Sequence, residues 1–244
     1  MRAWTGWGLI VTGIDIVLLS YDEPLAGQLH LRLERVFGRK VKRLHGVAPM
    51  RRALKLTAEL VDTEQYWLAD GDFEIDLEFD PGAHAPLDDG VAMAVLQAVN
   101  AINGLVAGYG GLKLMRTEAI RGMRDGTVDV LAALDRVDFR PVVAGVTRFN
   151  QSPFHTWRSG FREVAMLARG SEYGIDEDYT RFLIDRWCNS AGAPYASFGA
   201  AGARAGMAFA RETAQDPDRW QCISDPAWLH EQFTSHYPDL MPVG

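Results

Sequence analysis

The chain has 244 residues, 48% of them hydrophobic, which is enough for one sizeable core and short for two. A formal net charge of −7 excludes a protein that coats nucleic acid through overall positive charge. The only two cysteines, Cys188 and Cys222, lack CxxC spacing, so they suggest no disulfide framework or zinc ribbon and fit a reducing, cytoplasmic setting.

The apolar opening MRAWTGWGLIVTGIDIVLLS is interrupted by Gly6, Gly8, Gly13 and Asp15 and carries no small-residue cleavage site. It reads as a short arm feeding a buried strand, not as a signal peptide. No run reaches the roughly 18 apolar residues that a membrane span needs.

IDIVLLS, residues 14–20, is a β-branched run closed by Tyr21-Asp22-Glu23-Pro24, the pattern of a buried parallel strand. Leu25, Leu29, Leu33 and Val36 then share one face of a helix predicted over about 26–37 and closed by Gly38. A second short strand over 41–44, a helix over 50–61 and a third strand entered from Thr63 complete a β-α-β-α-β order. That order is the signature of a doubly wound, mostly parallel sheet flanked by helices.

Beyond residue 80 the rhythm loosens. Residues 92–101 read as partly helical, and NGLVAGYGGLKLM, residues 103–115, reads as a glycine-dense loop between apolar runs. A helix is expected around 128–134, an apolar stretch at 142–146, and amphipathic helices from about Pro153 and over 177–189. AGARAGMAFARET, from Ala201, reads as a small-residue helix able to pack closely. No repeat or linker divides the chain. One domain is expected over 1–244.

The stretch YWLADGDFEID ends its strand in Asp70-Gly71-Asp72. Carboxylates at i and i+2 of an extended chain point to one side, and the glycine between them leaves room for a diphosphate. Mg²⁺ or Mn²⁺ is commonly held by one or two carboxylates, with water and substrate phosphates completing the shell. A plain turn at a strand end is the other reading.

Between Arg32 and Lys55 stand nine Lys or Arg against one Glu, a solvated helix face or a surface for phosphates. Gly108, Tyr109, Gly110, Gly111 and Lys113 suit a loop where backbone approaches a ligand, with Tyr109 stacking on a sugar or base and Lys113 meeting a phosphate. On the helix after Pro153, Arg158 and Arg162 lie four apart and share a face, with Glu163 beside it. The set reads as a surface salt-bridge ladder or as a catalytic group in which Glu163 accepts a hydroxyl proton. His45 follows a strand at the ligand-binding edge and His155 opens the Arg-bearing helix.

Taken in order, DIVLLSYDEP, LHGV, DTEQYWLADGDFEID, NAINGLVAGYGGLKLM, FNQSPFHTWRSGFREV and SFGAAGARAGMAFA resemble phage and bacterial glycosyltransferases of GT-A type. Members of that group are associated with sugar addition to hydroxymethylated pyrimidines in DNA. The resemblance runs from about Ile14 to Phe233.

It implies a single GT-A-like, Rossmann-like α/β domain, with a donor-binding half at about 14–80 and an acceptor-side half at about 81–235, and a nucleotide-diphosphate sugar donor, with UDP-sugar expected. Ser20, Tyr21, Asp22, Glu23, His45, Gly46, Asp70 and Gly71 are expected at the donor, and Asp70 and Asp72 on Mn²⁺ or Mg²⁺. Gly108, Tyr109, Gly110, Gly111, Lys113 and Trp157 are expected on the acceptor side, and Glu163, Arg158 and Arg162 in catalysis. Two features depart from the group: Leu112-Lys113 follows GYGG where an acidic base often stands, and no metal-binding His is evident in SFGAAGARAG. Glu163 is therefore a substitute for the base, not an inherited assignment.

The acceptor expected is 5-hydroxymethylpyrimidine DNA, whose hydroxymethyl group projects into the major groove or is flipped into a pocket. A glycan or small-molecule acceptor, a sugar nucleotidyltransferase of the same fold, and a non-catalytic nucleic-acid-binding subunit are the rival expectations.

Overall fold

The computed structural model describes residues 13–108, 110–126, 128–170 and 175–240. Tyr109 and the opening arm lie outside the described residues. Asp15–Ser20 (β1) leads through Ala26–Phe37 (α1) to Lys42–His45 (β2), then through Met50–Glu59 (α2) to Gln65–Asp70 (β3). Leu29 and Leu33 form the buried face of α1, and Gly38, left-handed at φ 66°, ends it.

Helices cover both faces of these strands, so residues 16–20 and 66–69 are buried whichever way they point. Ile16, Leu18 and Trp67 join the core beneath α1. Val17, Leu19, Tyr66 and Leu68 join the opposite core with Leu54 and Ala58 of α2.

Phe73–Ile75 (β4), Met93–Asn100 (β5), Val106–Ala107 (β6) and Leu112–Arg116 (β7) follow, then Thr117–Arg121 (α3) and the long Val137–Thr147 (β8). Among the described residues the sheet order is β2-β1-β3-β7-β5-β8-β4, with β6 beside β5. β1 is parallel to β2 and β3, and β5 to β8, while β7 runs antiparallel to both β3 and β5.

The α/β class is therefore as expected, but the sheet is mixed and not mostly parallel. The helical crossovers α1 and α2 serve the parallel strands β1 to β3; after them β7 pairs antiparallel with β3 and β5, and β4 with β8, while β5 and β8 are parallel across a long connection. The segment 92–101, expected to be partly helical, holds an inner strand of this sheet, β5. The helix expected over 128–134 is a single 3₁₀ turn at Leu131–Ala133. Three strands stand between β3 and β4 in the sheet, yet only Gly71 and Asp72 separate them in sequence, so the sheet curls until its β4 edge returns to β3.

The remainder is helical: Pro153–Arg169 (α4), Glu177–Cys188 (α5), Ala196–Glu212 (α6), Pro217–Gln221 (α7) and Pro226–His236 (α8). The small-residue helix packs as expected. A Cβ on Gly202 or Gly206 would run into the carbonyl of Trp157 or Phe161, and one on Gly160 into that of Gly199, so α4 and α6 meet backbone to backbone. Trp157, Phe161, Phe209, Trp220 and Phe233 fill the core beside this seam. Among the described residues no helix is long and apolar enough to cross a membrane.

Candidate active site

The carboxyl ends of β1 and β3 and the inner face of α4 enclose a cleft of about 260 Å³. Ser20, Tyr21 and Glu23 line it from the turn after β1. Asp70, Gly71 and Asp72 line it from the end of β3, and Arg158, Ser159, Arg162 and Glu163 from α4. Strand ends meet here because β1 and β3 are parallel neighbours in register, with Leu19 opposite Asp70.

Gly71 permits the closure. A Cβ there would stand 2.7 Å from both Glu23 Oε2 and Ser20 Cβ, so no side chain fits between the two strand ends. The glycine between the carboxylates thus brings a third carboxylate, Glu23, up to the pair.

This grouping holds excess negative charge. Burial pushes the Asp72 carboxyl up to about 7, and the charges of Asp70 and Glu23 push it the same way. Asp70 is raised as well, first by burial, with Lys113 pulling against the rise. Lys113 Nζ lies 2.7 Å from Asp70 Oδ1 and also donates to the Gly110 carbonyl. Asp72 is anchored through its main chain, its carbonyl accepting from the Arg148 amide at 2.7 Å.

The turn after β1 is tied three ways to α4 and the residues just before it. Leu25 N donates to Gln151 Oε1 at 2.8 Å, the ring Nε2 of His155 stands 3.3 Å from Asp22 Oδ1, and Arg158 Nη1 donates to both Asp22 oxygens at 2.8 and 3.0 Å. Burial opposes ionisation of Asp22, but these bonds from His155 and Arg158 hold its carboxyl down at about 2. Arg158 Nη2 also stands 3.6 Å from Glu23, which carries the tie into the carboxylate group. Deeper along α4, Arg162 donates to the Ile223 carbonyl at 3.0 Å. Glu163 beside it is pushed up to about 7 by burial and then by the charge of Asp129, against the pull of Arg162.

The fold therefore brings together Ser20, Tyr21, Glu23, Asp70, Gly71, Asp72, Arg158, Arg162 and Glu163 on one cleft. Asp22, expected at the donor, spends its carboxylate on α4. His45 Nδ1 is 3.0 Å from Ser20 Oγ, and the Gly46 amide donates to the Ser20 carbonyl, so both support the β1 end. Gly110 reaches the site through Lys113, while Gly111 packs against Phe73 and Gly108 against Phe139.

Two acceptor-side expectations are corrected. Trp157, 1% exposed, belongs to the helical core with Phe161 and Phe233 because α6 closes over its face of α4. Lys113 is a strand residue bound to Asp70, since β7 inserts next to β3.

Phe149, Met166 and Trp187 line the inner end of the cleft without having been singled out in the sequence. Trp187 is 1% exposed, and its indole N–H has no acceptor among the described residues. Their signal was weak, because an aromatic on an amphipathic helix reads as core until the neighbouring helix is placed.

The residues fit a hard divalent cation. The donors are all oxygens, and Asp72 has no side-chain hydrogen-bond partner among the described residues. Among those residues no three acidic, His or Cys groups converge on one point, so water and substrate oxygens would complete the shell.

No family model matches the chain, and no curated protein matches it. Among solved structures, the mannosyltransferase PcManGT from Pyrobaculum calidifontis in complex with GDP-Man and Mn²⁺ is similar over 98% of this chain and 92% of that chain, at 10% identity and a TM-score of 0.45.

Proposed function

We propose that this protein is a glycosyltransferase that moves a sugar from a nucleotide-diphosphate donor to a hydroxyl acceptor with the help of Mn²⁺ or Mg²⁺. The observation that carries the reading is the facing of two charge sets across one cleft. Asp70 and Asp72 stand at the carboxyl ends of the parallel strands, and Arg158 and Arg162 stand opposite on α4.

Asp70 and Asp72 would hold the cation together with water and the donor phosphates. When bound, the cation neutralises the charge that builds on the departing diphosphate. Arg158 and Arg162 add fixed positive charge on the same side, already oriented by Asp22 and the Ile223 carbonyl. The bond from the anomeric carbon to the diphosphate oxygen breaks, and its electron pair leaves with the diphosphate. The acceptor oxygen forms the new bond, and its proton passes to Glu163, whose carboxyl near 7 suits a base at neutral pH.

The sequence resemblance extends this reading to a UDP-sugar donor, 5-hydroxymethylpyrimidine DNA as acceptor, and a cytoplasmic setting. One observation favours the second reading, a glycan or small-molecule acceptor. Part of the basic stretch is engaged within the chain: Arg32 on Glu74, Lys42 on Asp15 and Asp62, Arg43 on Ser20, and Lys55 on Asp125. Its strand β2 also lies at the sheet edge, with β1 and β3 between it and the glycine turn before β7.

The test is mass spectrometry of nucleosides from hydroxymethylcytosine and hydroxymethyluracil DNA incubated with the protein, Mn²⁺ and a panel of nucleotide sugars. A gain of one sugar mass establishes the DNA reaction. Donor hydrolysis without that gain moves the acceptor to a glycan or small molecule, and absence of both overturns the transferase in favour of a binding subunit. Asp70→Asn with Asp72→Asn is expected to lower turnover at least about 1,000-fold, or about 4 kcal/mol, without changing the circular dichroism spectrum.

A further inference from the structure

The cleft continues past the groups assigned to the reaction. On α4, Arg158, Arg162 and Met166 line it at four-residue spacing, so each stands about 6 Å further along the helix than the last. Arg158 is bound to Asp22 at the carboxylate end, and Met166 reaches the inner end with Phe149 and Trp187. With the diphosphate at the arginines and the reacting hydroxyl at Glu163, the body of the acceptor comes to lie at this inner end.

That end is apolar except at one point. The rings of Phe149 and Trp187 stand 6.3 Å apart with 34° between their planes. Trp187 belongs to the cluster of Val164, Leu167, Leu183 and Ala203, which fixes the indole. Four buried side-chain nitrogens have no hydrogen-bond partner among the described residues: Asn100 Nδ2, Asn103 Nδ2, Gln151 Nε2 and Trp187 Nε1. Of these residues only Trp187 lines the cleft. A buried N–H without an acceptor is costly, and an oxygen brought by a ligand removes that cost. Met166, unbranched and adaptable, is the part of the wall able to give way to an entering ring.

We propose that the inner end is a subsite for one sugar ring of a saccharide acceptor, and that Trp187 is its specificity-determining residue, donating its indole N–H to a ring or hydroxyl oxygen. The inference rests on the transferase reading above and favours a saccharide over a base of DNA. A sugar ring joins an apolar C–H face to oxygens that accept, which complements an aromatic wall with a single N–H. A flipped pyrimidine brings N–H groups on its own edge and needs acceptors for them, and the side chains of Phe149, Met166 and Trp187 offer no oxygen.

Nuclear magnetic resonance of the indole N–H groups tests the contact without turnover. The chain has seven tryptophans, and Trp187→Phe identifies the Trp187 signal by its loss. Methyl glycopyranosides of glucose, mannose and galactose are the probes, added to the parent with Mn²⁺ and UDP. At least one is expected to move the Trp187 signal downfield, and a signal unmoved by all three overturns the proposal.

Turnover is the second measurement, with the same glycosides and hydroxymethylcytosine DNA as acceptors and a panel of nucleotide sugars as donors. Transfer to a glycoside is expected. Trp187→Phe is expected to raise the KM for that acceptor about tenfold, the loss of one neutral hydrogen bond, and to raise the KM for the donor less. An acceptor effect no larger than the donor effect overturns the role of Trp187 while the transferase reading stands. If Trp187→Phe does not fold, Met166→Trp, which fills the inner end from α4, is expected to raise the same acceptor KM, and an unchanged KM overturns the subsite. Transfer to DNA alone overturns the saccharide. Absence of both transfer and donor hydrolysis overturns the transferase reading, and the inference with it.

Discussion

The two halves of the molecule are held together by opposite means. In the first, β1 and β3 are buried by helices on both faces, and long aliphatic and aromatic side chains such as Leu18, Trp67 and Leu68 supply the contact. In the second, α4 and α6 meet through Gly160, Gly199, Gly202 and Gly206, with aromatic rings packed to the side of the seam. A side-chain core can repack around a change, whereas a backbone seam has nothing to yield. The cleft lies where the two kinds of packing join: the carboxylates stand on the sheet, and Arg158, Arg162 and Glu163 on the glycine-packed helix.

The sharpest way to break this contrast is Gly202→Ala. Alanine is the better helix former by about 1 kcal/mol, so propensity alone favours the change. The new methyl group, however, runs into the Trp157 carbonyl and forces α4 and α6 apart. A net loss of about 3 kcal/mol is expected by urea denaturation, the upper range for overpacking. A variant as stable as the parent would show that the helices slide freely, and the account of the seam would be wrong.

Next in size is Glu163→Gln, which tests whether the helical half supplies the base. Turnover by the parent is expected to rise with pH through about 7 as Glu163 loses its proton. The glutamine variant is expected to lose that rise and fall about 100-fold at neutral pH, about 2.7 kcal/mol of barrier. Stability gives a second measurement. A carboxyl raised from 4.5 in the unfolded chain to about 7 in the fold binds its proton more tightly when folded, so its contribution to stability is lost as pH rises through that window. Glu163→Gln is therefore expected to gain on the parent between pH 4 and pH 8. A constant difference across that range would remove Glu163 from the list of groups that titrate.

The sheet half was the more legible of the two in the sequence, because its signals are local. The IDIVLLS run, the glycine stop at Gly38 and the Asp70-Gly71-Asp72 strand end each depend on residues a few positions apart. What escaped depends on order in space. MAVLQAVN is apolar on both faces and reads equally as a buried helix or a buried strand, and only its place between β7 and β8 decides. Lys113 follows a glycine run and reads as a loop lysine until β7 is inserted beside β3, 43 residues away in the chain. Trp157 and Trp187 show the same limit. Both sit on amphipathic helices and both are 1% exposed, but only the second borders the cleft.

The smallest effect concerns the tie across the join itself. Asp22 accepts from Arg158 at 2.8 and 3.0 Å and stands 3.3 Å from His155 Nε2, and 35% of its side chain remains exposed. Replacing it with asparagine removes the charge but leaves Arg158 its contact with Glu23 at 3.6 Å. Solvent screening at this exposure limits the expected loss to about 1 kcal/mol. Its pH dependence identifies the source. A carboxyl held at about 2 in the fold and near 3.8 when unfolded contributes its full stability above pH 3.8, and that contribution is lost as pH falls through 2. The gap between parent and Asp22→Asn is thus expected to be constant from pH 5 upward and to close between pH 4 and pH 2. A gap that persists at pH 2 would mean that shape, and not charge, joins the turn after β1 to α4.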